Sequence, residues 1–267
     1  MRRGLLILII VSACSCRKSD RDVDSSLNSV EDNSLAESVF SQIFKLIDAA
    51  AKYNKGISSN TLSADTTLFG CDKITVDTLS YPKKIIIDFA LSCNGNDIEH
   101  SGKISAQIYG KYNESGTKTK INFINFKFKD KLIGGTLTIT NKGLSVNGNQ
   151  LYGIEVSNGT LSGNKSNLTW HCNRIWEMNA GQASTTISDD SYLISGTAEG
   201  RAFKGNAFSV EISESLLITN SCIYIVHGKC NVKPENLHTR RVNYGSGTCD
   251  AQANVDINGK EYEASLP

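Results

Sequence analysis

The chain has 267 residues, with 28 basic side chains against 27 acidic ones and a formal net charge of +1 at pH 7. So even a balance offers no electrostatic attraction for a nucleic acid or an anionic lipid surface, and neither is expected as a partner. The length suffices for one large or two small domains with a real core. Three prolines, 22 glycines and plentiful Ser, Thr and Asn fit a turn-rich, mainly β domain.

Met1-Arg2-Arg3 forms a basic start, and Gly4 to Val11 is an apolar run well short of the ~20 residues that span a membrane. Residues 1–13 therefore read as a signal peptide. Its closing string Val11-Ser12-Ala13-Cys14 resembles a bacterial lipobox. That resemblance implies cleavage before Cys14 and acylation there by diacylglycerol and palmitate, placing the mature protein in the cell envelope with a membrane as its partner. Loss of Arg2 and Arg3 with the signal leaves 26 basic against 27 acidic residues, a net charge of −1. Ser15 stands where a retention aspartate would hold a lipoprotein in the inner membrane, so the outer membrane is favoured, with its side open.

Residues 14–33 are rich in serine and mixed charge and poor in large apolar groups, the composition of a flexible tether. Residues 34–267 read as a single β-rich domain. It opens with a helix over 34–55, where Leu35, Val39, Phe40, Ile43, Phe44 and Ile47 recur at three- and four-residue spacing. Ser34 and Glu37 have the spacing of a capping box, and Glu37, Gln42, Lys45 and Asp48 mark a polar face. This helix is expected to pack on a sheet.

After Leu68 the apolar period changes to two, as in Ile104, Ala106 and Ile108 or Phe208, Val210 and Ile212, and roughly a dozen half-buried antiparallel strands follow. Asn94-Gly95-Asn96, Ser101-Gly102, Asn147-Gly148, Asn158-Gly159, Lys204-Gly205-Asn206 and Asn258-Gly259 supply residues suited to tight hairpin turns. The alternation slips between Phe123 and Ile124, which predicts a bulge. The fold class is thus mainly β: an extended, curved antiparallel sheet, a meander or half-barrel, with one N-terminal helix.

Six cysteines fall in the folded part, and an oxidising envelope predicts disulfides. Adjacent strands suggest Cys71 with Cys93 and Cys222 with Cys249, leaving Cys172 to face Cys230. The zinc alternative would use His171, Cys172, His227 and Cys230, but residues 171 and 172 point to opposite faces of a strand, as do 227 and 230, so no metal is expected. Trp170, Trp176, Tyr192, Phe203, Tyr224 and Tyr244 could offer a sugar-binding platform, with core packing the plainer reading.

Several stretches carry a resemblance to a family: Ile85-Ile86-Ile87-Asp88-Phe89, Cys93-Asn94-Gly95, Thr140-Asn141-Lys142-Gly143 as a turn, Tyr192-Leu193-Ile194-Ser195-Gly196, and Tyr244-Gly245-Ser246-Gly247-Thr248-Cys249-Asp250. On them the chain resembles a family of uncharacterised cell-envelope lipoproteins of the Bacteroidetes. The resemblance implies a curved antiparallel sheet, shared cysteines at 71, 93, 222 and 249, and Cys172 with Cys230 as an added pair. It also implies O-glycosylation at Thr66 and Thr78, each preceded by aspartate. It carries no activity.

No hydrolase elbow, phosphate loop, dinucleotide fingerprint or His-Glu-x-x-His occurs, so no catalytic residue and no cofactor is assigned. The expected function is a non-enzymatic binding or structural module of the envelope, its ligand a glycan or a lipid. Two alternatives stand beside it: a hydrophobic-ligand carrier, which needs an apolar sheet face left uncovered, and an enzyme on envelope polymers, which needs a cleft gathering carboxylates such as Asp88 or Asp189.

Overall fold

The computed structural model describes residues 24–53, 72–89, 100–184 and 186–267. They form helix α1 (Asn28–Tyr53) and strands β1 (Asp72–Asp77), β2 (Lys83–Phe89), β3 (His100–Tyr109), β4 (Lys118–Phe128), β5 (Lys131–Leu144), β6 (Gln150–Ser162), β7 (Asn167–Ala180), β8 (Ser191–Arg201), β9 (Ala207–Thr219), β10 (His227–Pro234), β11 (Arg240–Ser246), β12 (Gln252–Ile257) and β13 (Lys260–Ser265). Each strand pairs antiparallel with the next, in sequence order, in a single sheet. The outermost strands, β1 and β13, are not paired with each other, so the sheet is open.

Helix α1 starts six residues before the expected Ser34, within the stretch read as tether. Ser34 and Glu37 are therefore interior helix positions and not a capping box: Ser34 Oγ bonds the Tyr244 hydroxyl at 3.1 Å and Glu37 pairs with Arg174. The chain is fixed even before the helix. Arg240, fully buried, donates from Nη1 to Asp24 Oδ2 at 2.9 Å and from Nη2 to the Ser26 carbonyl at 3.1 Å.

The helix of 26 residues is ~39 Å long, close to the ~46 Å of the 14-residue strands β5 and β7. It runs beside β7 from one end of the sheet to the other. Its start lies by the β8–β9 turn, where Asn28 Nδ2 donates to Asn206 Oδ1, and its finish by the β7–β8 loop, where Lys52 meets Asp190. These are the near and far ends of the sheet. Between them α1 touches β2, β7, β10 and β13. No helix side chain from Asn28 to Lys52 is exposed. Thirteen strands at ~4.8 Å each span ~60 Å, about the circumference of a circle ~10 Å from a helix axis. The sheet bends round the helix, and what binary patterning reads as a polar helix face is buried against strands.

The bending has a local cause. Ser101-Gly102 and Asn158-Gly159, expected as turns, lie within β3 and β6 at breaks in register, and Thr140 to Gly143 likewise lies within β5. The bulge predicted near Phe123 is present between Asn122 and Lys127, with Asn125 at φ 49°. Further breaks occur at Gly134/Thr136 and Ile194/Thr197. Each inserted residue kinks its strand and adds twist. Gly159 has a second role, since a Cβ there would lie 2.5 Å from the Trp170 carbonyl and 3.2 Å from the Phe40 ring. The Asn147-Gly148, Lys204-Gly205-Asn206 and Asn258-Gly259 turns fall between strands as expected.

The inner face is the core. In β7, Leu168, Trp170, Cys172, Arg174, Trp176 and Met178 alternate inward, each under 5% exposed, while Thr169, His171 and Asn173 face outward. Phe40 stacks on Trp170, and Phe44 meets Tyr152, Trp176 and Tyr192 with ring centroids 4.4 to 5.4 Å apart. The aromatic residues weighed as a sugar platform are thus interior packing, with Phe203 and Tyr224 packed partly buried against the same core.

Candidate functional site

Two polar clusters sit inside the sheet along α1. The first lies mid-helix. Glu37 Oε2 and Arg174 Nη2 are 2.7 Å apart, both side chains at most 2% exposed. Arg174 Nε and Nη1 and the neighbouring Trp176 Nε1 have no hydrogen-bond partner. Beside the guanidinium lie two thiols, each pushed up to about 12 by burial: Cys172, and Cys230 with the Tyr244 hydroxyl 3.8 Å from its sulfur. Both cysteines are free, which corrects the expected Cys172–Cys230 disulfide. They stand on β7 and β10 with β8 and β9 between, three strand spacings or ~14 Å along the sheet, against a Cα separation of at most ~6.8 Å across a disulfide.

The second cluster closes the far end. Asp48, 1% exposed, accepts at Oδ1 from the Tyr112 hydroxyl at 2.9 Å and from Tyr152 at 3.5 Å; its Oδ2 accepts from Tyr192 at 2.9 Å and pairs with Lys52 Nζ at 2.8 Å. Lys52 also reaches Asp190 Oδ2 at 2.9 Å. Burial raises the three phenols above their ordinary range, and the Asp48 carboxylate adds to this. Burial opposes the Lys52 charge, but Asp48 and Asp190 outweigh it and hold the ammonium above its usual value. Asp190 is raised, chiefly by burial, with Lys52 working the other way.

Lys52, Tyr152 and Asp190 of this cluster form the floor of a cavity of about 630 Å³, whose lining also includes Asn113, Gln150, Met178, Gln182 and Thr186. Local structure explains the positions. Tyr152 and Tyr192 are inward positions of alternating strands, and Lys52 follows Asp48 by one helical turn. Gly181, at φ 93°, passes so close to Asp190 that a Cβ would lie 2.0 Å from its Oδ1. Gln182 braces the rim, donating to the Gly148 carbonyl at 2.9 Å and accepting from the Gln150 amide at 2.7 Å. The set can hold a small polar molecule by charge and hydrogen bonds.

Of these residues the sequence singles out Asp48 as helix polarity and Tyr192 as one ring of a possible sugar platform, and it does not bring them together. Asp189 is exposed in the 3-10 turn Ile187–Asp189 and accepts from Ser184 Oγ, while its neighbour Asp190, 2% exposed, points inward. A signal existed in Asp48 and Lys52 extending the polar stripe of α1 down to its last turn.

The remaining assigned residues scatter. Cys222 and Cys249 form the expected disulfide, with Cα atoms 5.9 Å apart, joining the β9–β10 and β11–β12 loops at the far end. Cys14, Cys71, Cys93 and Thr66 lie outside the described residues, and Thr78 is half-buried at the start of the β1–β2 turn. His171 is exposed on the outer face while Cys172 is buried, and His227 pairs with Glu214, so the four zinc candidates do not converge. Asp88, on β2, pairs with Lys103 at 2.7 Å and is not gathered with Asp189 in one cleft. Among the described residues no helix is long and apolar enough to cross a membrane. No protein-family model, curated protein or solved structure matches this chain.

Proposed function

We propose that the protein is a lipid-anchored module of the cell envelope, on the outer membrane, that acts by binding a small polar ligand in the far-end cavity and not by catalysis. The observation that carries the binding reading is the contrast between the filled interior and this polar opening. Helix α1 occupies the concave face that a lipid carrier would leave uncovered, which favours a glycan over an acyl chain as the ligand. The anchor reading rests on Val11-Ser12-Ala13-Cys14. Arg240 holds Asp24 at the near end, ten residues after Cys14, and ten residues reach at most ~35 Å. An anchored molecule would keep its near end at the membrane and turn the cavity away from it.

Metabolic labelling with an alkyne fatty acid, followed by membrane fractionation, tests the anchor. Wild-type protein should carry label and sediment with outer membranes, and Cys14→Ser should lose both. Sedimentation of an unlabelled Cys14→Ser protein with the membranes would overturn the assignment.

A further inference from the structure

The floor of the far-end cavity is unbalanced in charge. Asp48 and Asp190 supply two carboxylates and Lys52 one ammonium, and all three are drawn into a single chain of contacts of 2.8 and 2.9 Å. The two acids differ in what surrounds them. Asp48 is enclosed by three tyrosine hydroxyls and lies behind the cavity, whereas Asp190 lines it, with Lys52 on Oδ2 and the side-chain-free Gly181 beside Oδ1. Inward burial makes an uncompensated carboxylate costly. A ligand bringing a positive charge would complete the set, whereas an anion would meet two carboxylates and a neutral sugar would leave the excess in place.

We propose that the ligand of this cavity is a small hydroxylated amine, for which an amino sugar with a free ammonium is the model case, its ammonium binding Asp190 beside Lys52. The inference deepens the binding function proposed above and rests on it. Asn113 and Thr186 at the mouth offer polar groups for ligand hydroxyls. Leu144, Met178 and Ile187 supply an apolar wall that fits a sugar's carbon skeleton. The pocket is therefore selective by charge at its floor and permissive at its mouth.

Isothermal titration of the full chain in detergent with glucosamine, N-acetylglucosamine and glucose decides the matter, because the three share a ring and differ in the ammonium. Glucosamine should bind at least tenfold more tightly than the other two, and Asp190→Asn should erase that preference. Should Asp190→Asn fail to fold, the ratio measured on the wild-type protein decides alone. Equal binding of all three would overturn the amine while leaving a glycan site in place; binding of none would overturn the amine and the cavity's binding role together.

Discussion

The two clusters along α1 contain the same ingredients, a helix carboxylate paired with a cation in a buried setting, and differ in closure. Glu37–Arg174 is sealed between helix and sheet: both partners are at most 2% exposed and three nearby N–H groups have no hydrogen-bond partner. Asp48–Lys52–Asp190 is fully bonded on its inner side, with the Lys52 side chain 27% exposed and Asp190 facing a cavity. A sealed charge pair costs desolvation that its Coulomb attraction barely offsets, so its value lies in fixing one helix position against one strand. In the second only Lys52 is part-exposed, but it and Asp190 line a cavity, where a ligand can reach them. The comparison separates a lock from a site.

The largest expected effect belongs to the lock. Glu37→Gln or Arg174→Met alone leaves one buried charge without its partner and should cost about 3 to 5 kcal/mol in urea unfolding. The double variant Glu37→Leu/Arg174→Met should recover most of that loss, since it removes both charges and the unpaired guanidinium donors together. Additive losses would show that the two side chains act independently and that the pair does not fix the helix.

Lys45 lies on the same helix between the clusters and has no carboxylate: its Nζ donates to the Thr219 and Cys222 carbonyls at 2.6 and 3.0 Å. Burial lowers it to about 8. Between that value and the unfolded value of 10.5 the unfolded chain holds a proton that the folded one has released, so stability rises with pH. Lys45 should contribute a rise of about 2 kcal/mol from pH 7 to 9.5, set against the raised Cys172 and Cys230 thiols, which withdraw stability as their unfolded counterparts ionise near 9.0, so the wild type should gain about 2 kcal/mol on Lys45→Met over that range. Higher pH is unsuitable, because the raised phenols of Tyr112, Tyr152 and Tyr192 withdraw stability once unfolded tyrosines ionise. An unchanged slope in the variant would mean that Lys45 is solvated and that charge without a partner is tolerated along this helix.

Much of this architecture is legible in the residues. The inward alternation of β7 and the three- and four-residue spacing of α1 both state their periods openly. Bulges are harder, because Ser101-Gly102 and Asn158-Gly159 supply the same positive-φ chemistry whether the chain reverses or merely kinks. The direction the helix polarity faces is harder still: Glu37 and Asp48 look like a solvated stripe until the sheet is known to surround them. Cys172 and Cys230 are both interior and free, because pairing depends on distance across strands, which local pattern does not encode. Asp190 is adjacent to Asp189 in sequence and opposite to it in environment, a difference set by Lys52 from more than a hundred residues away.

The smallest expected effect tests the site side of the comparison. Asp190→Asn keeps an acceptor for Lys52, and Asp48 remains as its charge partner one helical turn away at 2.8 Å. Because burial raises Asp190, its charged form is a cost to the fold: between the unfolded value of 3.8 and the higher folded value the native state holds the extra proton, so stability falls as pH rises through that window. Removing the ionisable group should abolish that fall, offsetting the weakened ion pair and leaving a net change of about 1 kcal/mol or less at pH 7. Urea unfolding at pH 4 to 7 measures both quantities. A loss as large as that of Glu37→Gln would make Asp190 a second lock, and the cavity floor would then owe its charge to holding the helix end and not to meeting a ligand.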